Sequence, residues 1–262
     1  MIVIDPVFLA ESVEPLEQFL LSLPIGSLFN GELYKLSDDR FTGLSLEGFS
    51  DEPMWLDATA VGRLFMAPDG STVAAFNVPE GDDGTPAGVK MISDNDFVQE
   101  DDPVTIVAYQ DEDGPRVQVD SLHLVRVMLN EDTPVRFCTI AFGLMACTAY
   151  RHGFSRISLF AGGNGPPPLD LEDGDLIGYL VWPKFGFDAT LLPVDLNSAP
   201  DHVRQCGSVL GVVEADQAWW EAHGRGREMY FDLSAGSDSW NVLLNYLYTV
   251  LLEDDDEYEE EA

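Results

Sequence analysis

The chain has 262 residues, and its 47 Asp plus Glu outweigh 13 Lys plus Arg to give a formal net charge of −34. A surface of that sign repels a phosphate backbone, so direct binding to DNA or RNA is not expected. Hydrophobic residues make up 45% of the chain and aromatic residues 11%, which excludes a wholly disordered polymer and leaves enough apolar surface for a packed core. No apolar run reaches the ~18 residues that cross a bilayer, and MIVIDPVFLAES has no basic segment leading into a long apolar stretch; neither a membrane span nor a signal peptide is expected. Cys138, Cys147 and Cys206 are odd in number and match no metal-binding spacing, so reduced thiols in a cytoplasmic protein and no metal site are expected. The acidity itself has three readings: a solvated surface such as a salty cytoplasm selects, a basic partner protein, or mimicry of nucleic acid.

In chain order, VEPLEQFLLSL (13–23) puts Leu16, Phe19, Leu20 and Leu23 on one helical face, with Ser12 placed as N-cap, Pro15 in the first turn and Pro24 and Gly26 as terminators. A loop-rich stretch over 27–60 contains a short strand at Glu32 to Leu36. VGRLFMA and TVAAFNV flank Pro68-Asp69-Gly70-Ser71 and read as a hairpin over 61–78, followed by the polar loop EGDDGTPAG. A second hairpin joins VTIVAYQ (104–110) through DEDGPR to VQVDSLHLVRVML (117–129), an arm long enough to predict a bulge. Residues 134–152 predict a wide-faced apolar helix stopped by Gly153, then a strand at RISLF (156–160) and a glycine-rich break, AGGNGPPP. LIGYLVWPKFGFD carries a short aromatic helix, a further helix falls near 199–206, AWWEAH (218–223) is a helix end closed by Gly224, EMYFDL (228–233) a strand and SDSWNVLLNYLYTVLLE (237–253) an amphipathic helix. The tail EDDDEYEEEA is a like-charge run expected to be disordered.

This succession predicts an α/β (α+β) fold. AYRHGFSRISLFA and YLVWPKFGFD resemble the end of the cofactor helix with its following strand, and the late aromatic-x-x-x-Gly-Phe closure, of the GNAT superfamily of acyl-CoA-dependent N-acyltransferases. The resemblance spans roughly residues 60–195 and implies a mixed, mostly antiparallel twisted sheet flanked by helices. The expected organisation is a helical and loop segment (1–60) packed on the main domain, a GNAT-like domain (61–195), a C-terminal extension (196–253) and the acidic tail (254–262). In that family CoA wedges beside the central helix, and backbone N–H groups at the helix N-terminus hold the pyrophosphate through an Arg/Gln-x-x-Gly-x-Gly/Ala pattern. The corresponding stretch here is TPVRFC (133–138), in which Arg136 and Cys138 stand in the glycine places and Glu131 and Asp132 lie just upstream.

The resemblance implies acetyl-CoA or another acyl-CoA as cofactor, held around Arg136, Phe137 and Cys138, with Asn164 of AGGNG touching cofactor or marking a turn. Arg136 could contact phosphate bidentately or pair with Glu131 or Asp132. The resemblance implies Tyr179 as the acid for the leaving thiolate; as a residue, it could equally be a core tyrosine. His123, near Asp120 on the long strand, could serve as a general base or as a hydrogen-bonded core histidine. His152 is expected as a cation favoured by the helix C-terminus. Two functions follow: a diverged N-acyltransferase acting on a small basic amine or a basic protein, or a non-catalytic acidic interaction protein on the same scaffold that binds a basic protein partner.

Overall fold

A computed structural model describes residues 2–46, 53–79, 87–112, 118–167, 176–197 and 199–252. The loop at 80–86, the hairpin turn around 113–117 and the acidic tail lie outside the described residues. The fold is mixed α/β with mostly antiparallel strands, and it ends in a helix. The chain divides into two compact units, residues 1–157 with 233–235, and 158–232 with 236–262.

In the first unit the N-terminal helix starts earlier than Ser12. The Asp5 carboxylate caps α1 (Pro6–Phe8) by accepting from the N–H groups of Val7 and Phe8, and the chain continues through a π-helical turn (Leu9–Val13) into α2 (Glu14–Ser22). Pro15 has no N–H to offer a continuous α-helix, and the wider turn immediately before it absorbs the mismatch. A small sheet pairs β1 (Gly43–Leu46) with β2 (Met54–Asp57) in antiparallel fashion. The expected strand at Glu32 to Leu36 is reduced to isolated bridges from Tyr34 to Arg40 and Thr72.

The first arm of the expected hairpin over 61–78 is a helix. Asp57 caps α3 (Ala58–Leu64) by accepting from the Ala60 N–H at 2.7 Å, and that cap fixes ATAVGRL as helical despite its valine. Only TVAAFNV is a strand, β3 (Thr72–Val78), and its partner is β4 (Gly88–Asp94). The sheet continues antiparallel through β5 (Val104–Glu112) and β6 (Gln118–Arg126), with the predicted irregularity between Thr105 and Ile106, where Val125 is the extra residue on β6. One face of this meander is core: Val73, Val89, Met91, Ile106, Ala108, Leu122 and Leu124 are all buried at alternate positions.

The predicted central helix is α4 (Phe137–Arg151), buried on every side from Thr139 to Tyr150. Such a helix belongs inside a core. It packs on α2 and α3. Glu17, 8% exposed, joins all three helices: its carboxylate meets Arg63 at 2.9 Å and Arg151 at 2.6 Å. The Tyr150 hydroxyl accepts from the Asp5 N–H at 2.9 Å. Gly153, at φ 76°, turns the chain out of the helix.

The strand after it, β7 (Arg156–Asn164), is longer than RISLF and absorbs the AGGN expected as a break. In the second unit β7 neighbours β8 (Arg225–Asp232), and the helices are α5 (Gly178–Lys184), α6 (Pro193–Leu196), α7 (Asp201–Arg204), α8 (Val209–His223) and α9 (Asp238–Leu252). The Gly-Phe closure has a steric cause. Gly186 has φ +90°, and a Cβ there would lie 2.3 Å from the Ser239 carbonyl oxygen. Phe185 then meets Tyr246, and Phe187 meets Phe231, which meets Trp240, with ring centroids 5.1–5.9 Å apart. On the strand that carries Phe231, Arg227 is buried in a bidentate pair with Asp195 at 2.8 and 2.9 Å and lies over the Trp220 ring at 5.0 Å.

Candidate functional site

The residues expected around a phosphate sit at the start of α4. Arg136 is the N-cap, and its backbone is left-handed, φ 72° and ψ 5°. That conformation costs a non-glycine residue of order 1 kcal/mol and is the one a glycine adopts freely. The backbone here therefore takes a glycine-like form without a glycine. Phe137 is a core residue, its ring 5.0 Å from Phe97 and 5.8 Å from Phe29. Its N–H donates to the Pro134 carbonyl at 3.0 Å, which occupies the first donor of the helix. Cys138 is partly exposed as a residue, but burial of its thiol pushes the pKa up to about 11. The preceding loops are tied together by Asn130, whose amide donates to the carbonyls of Asp96 and Val98, and by the Thr133 hydroxyl, which donates to the Phe97 carbonyl at 2.7 Å. This approach to α4 carries exposed Asp96, Glu131 and Asp132.

The other candidates lie on other elements. His123 is half-buried on β6 in the first unit, its ring edge-on to Tyr109 at 6.5 Å. Asp120, buried on the same strand, accepts from the Gln110 amide at 3.2 Å. Asn164 is exposed at the end of β7 in the second unit. Tyr179 is fully buried in the second unit; its hydroxyl donates to the Glu221 backbone carbonyl at 3.1 Å, and its own carbonyl accepts from the Trp220 indole at 2.9 Å. Burial, with the Glu221 carboxylate adding to it, raises the Tyr179 pKa. This is the bonding of a core tyrosine. His152 differs from its expected role: burial first, and the Arg151 charge with it, outweigh the opposing pull of Asp57 and lower its pKa, which disfavours the cation expected at the end of α4.

The concave surface of the second unit lies elsewhere. Two clefts of about 710 and 750 Å³ share Asp188, Ser208, Leu210 and Asp238 in their walls. The first is completed by Glu228, Tyr230, Asp232 and Leu192, the second by Lys184, Glu214, Asn245 and Tyr246. α8 and α9 both begin at these walls, but the α8 terminus is already satisfied: the Asp188 carboxylate accepts from the Leu210 and Ala189 N–H groups, and Ser208 accepts from Gly211. Arg227 is spent on Asp195. Lys184 then stands against Glu214, Glu228, Asp232 and Asp238, all exposed. The aliphatic Leu192, Leu210 and Val242 line the same walls. Sizes of this order suit a small ligand or an extended side chain, and the walls favour one that is cationic with apolar spacers.

These residues were not singled out in the sequence, although Glu228, Tyr230 and Asp232 alternate on one face of β8, a period-two signal readable in EMYFDL. No protein family, curated protein or solved structure matches this chain.

Proposed function

We propose that the chain is a non-catalytic acidic interaction protein whose second unit binds a basic ligand: a lysine- or arginine-rich segment of a partner protein, or a small polyamine. The observation that carries this reading is the pair of adjoining clefts walled by Asp188, Glu214, Glu228, Asp232 and Asp238, with Arg227 neutralised by Asp195. A cytoplasmic setting, with reduced cysteines, belongs to the same reading. The test is calorimetry with spermine and with an oligolysine peptide at low salt, comparing the unaltered chain with Glu228→Gln/Asp232→Asn. The expected result is a loss of about tenfold or more in affinity, as for the removal of one or more charge-assisted contacts. A control that neutralises two exposed acids of the first unit, Glu11 and Glu100, should bind nearly as well as the unaltered chain. Equal weakening by both variants would reduce the interaction to diffuse surface charge and end the proposal.

Acyl transfer from an acyl-CoA to a basic amine is the second reading, favoured by one observation: the left-handed backbone at Arg136 keeps the turn that a family glycine would make at the N-terminus of α4. In this reading Arg136 contacts phosphate, Tyr179 and His123 are the acid and the base, and the acidic clefts attract the amine. It requires the Tyr179 hydroxyl to leave the Glu221 carbonyl and the exposed acids around 131 to tolerate a pyrophosphate. Titration with acetyl-CoA at low and high salt decides it. No heat at millimolar cofactor in either condition removes the reading; binding that Arg136→Ala weakens by about 1.5–3 kcal/mol supports it.

A further inference from the structure

We propose that the outer face of the β3–β6 sheet is a self-association surface, occupied by the same face of a second copy of this chain. The register of the ladder places Phe76 beside Lys90 and Val107, Ala74 beside Ile92 and Thr105, and Val107 beside His123, all on the side opposite the buried row of Val89, Met91 and Ile106. Phe76 is 45% exposed and Val125 54%, and the positions between them are only partly covered. Between the row of Asp94 and the row of Tyr109 the four strands place no carboxylate of their own on this face, on a chain whose formal charge is −34. Its charged or titratable side chains are Lys90, whose ammonium lies 5.6 Å from the Phe76 ring centroid, His123, and Arg126 beside Thr105, whose charge is met by Asp102 at 2.7 Å. Here two copies can meet without setting acid against acid.

The same strand supplies the complementarity. Asp94 lies on this face of β4 four residues beyond Lys90, about 13 Å away at 3.3 Å per residue. A two-fold axis in the plane of the interface, perpendicular to the strands and passing by Ile92, turns β4 onto its own copy. Lys90 of each molecule then faces Asp94 of the other, and the two sheets stack as in a β-sandwich, about 10 Å apart. Seven ladder rows by four strands give a footprint of roughly 23 by 19 Å, about 440 Å² per copy. A standard stable interface buries about 800 Å² per partner, so the dimer is weak and reversible.

The charge of the whole chain sets how it responds to salt. Long-range repulsion between two copies at −34 is screened as the Debye length falls from about 10 Å at 0.1 M to about 3 Å at 1 M salt, while apolar burial persists. Association therefore grows with salt, the reverse of what ligand binding in the acidic clefts does. Sedimentation velocity on the full chain, over a concentration series at about 0.1 M and about 1 M salt, is expected to show a dimer that increases with both variables. Phe76→Asp and Val125→Glu, both at exposed positions, should return the chain to monomer with an unchanged circular dichroism spectrum. Lys90→Glu should weaken the dimer about tenfold, and adding Asp94→Lys should restore it. A monomer at every concentration in both salts overturns the proposal, as does association that the Phe76 and Val125 variants leave intact. A charge swap that fails to restore the dimer overturns the register through Ile92.

Discussion

Replacing Asp195 with alanine isolates a buried charge and shows how the second unit is held together. The Asp195 side chain is 1% exposed and that of Arg227 6%. The two are joined by parallel hydrogen bonds of 2.8 and 2.9 Å, and Asp195 also accepts from the Leu192 N–H at 2.7 Å, which starts α6. Asp195→Ala leaves a guanidinium without its counter-charge where water reaches it poorly, and breaking a buried pair in this way costs about 3–5 kcal/mol. Losing the acceptor for Leu192 adds about 1 kcal/mol. With a urea dependence of about 2 kcal/mol per molar, the midpoint should fall by about 2–3 M. The assay is urea unfolding followed by tryptophan fluorescence, since Trp220 lies under Arg227 and Trp240 is in the adjoining aromatic cluster. Adding Arg227→Met to the variant should recover much of the loss, because an apolar pair of similar volume has no charge to desolvate. A loss below about 1 kcal/mol for Asp195→Ala, the scale of an exposed pair, would refute the reasoning.

Glu17→Ala should destabilise the first unit by about 3 kcal/mol, near the low end for a buried pair because Arg151 keeps about a third of its side chain exposed; thermal unfolding checks it, and Glu17→Gln should restore part of the loss by keeping the hydrogen bonds. Cys138, raised from 9.0 to about 11, is stabilised as the neutral thiol in the folded chain, so its contribution is complete below about pH 9 and is lost as pH rises towards about 11; urea midpoints measured across that interval should fall less steeply in Cys138→Ala. Asp216 accepts from His202 Nε2 at 2.8 Å and from the Trp219 N–H at 3.0 Å, which hold its pKa below the usual carboxylate value. In His202→Ala its carboxyl resonance should titrate at higher pH than in the unaltered chain, and an unchanged titration would remove the histidine from that role. The sign is that of a depressed acid, whose contribution is present above its ordinary pKa and fades as pH falls through the shifted one.

What could be read in advance depended on whether the cause was local. α4 is legible because the stretch from Phe137 to Ala149 is mostly apolar and carries no charge, and Gly153 ends it; the β5–β6 pair and its bulge are legible because alternation and arm length are properties of the segment itself. α9 follows from its apolar period and Ser237, whose hydroxyl accepts from the Trp240 N–H. α3 is hidden because Val61-Gly62-Arg63-Leu64 precedes a strong turn and invites a hairpin, while the decisive signal is the cap at Asp57. β4 is faint in the sequence because Gly88 and Lys90 dilute its pattern, and only pairing with β3 and β5 explains it. The candidate site was less legible still. Tyr179 stands out as an aromatic in a short helix, but its role depends on the Glu221 carbonyl 42 residues later. The cleft carboxylates come from separate elements, and the pairing that cancels Arg227 spans 32 residues.

The tie between Tyr150 and Asp5 spans 145 residues, and that between Arg151 and Glu17 spans 134. During synthesis α2 is finished early, yet the helix it packs against is added only after the whole β3–β6 meander. At translation rates of about 5–20 residues per second, the gap of 134 residues corresponds to about 7–27 s in which α2 lacks the helix it packs on and Glu17 lacks Arg151, the second of its two arginines. α4 itself, apolar on all sides, has no stable place until that earlier helix closes over it. The first unit is therefore expected to close late and as a whole, with a slow step set by bringing distant ends together, and variants at Glu17 or Asp5 should delay its completion as well as lower its stability.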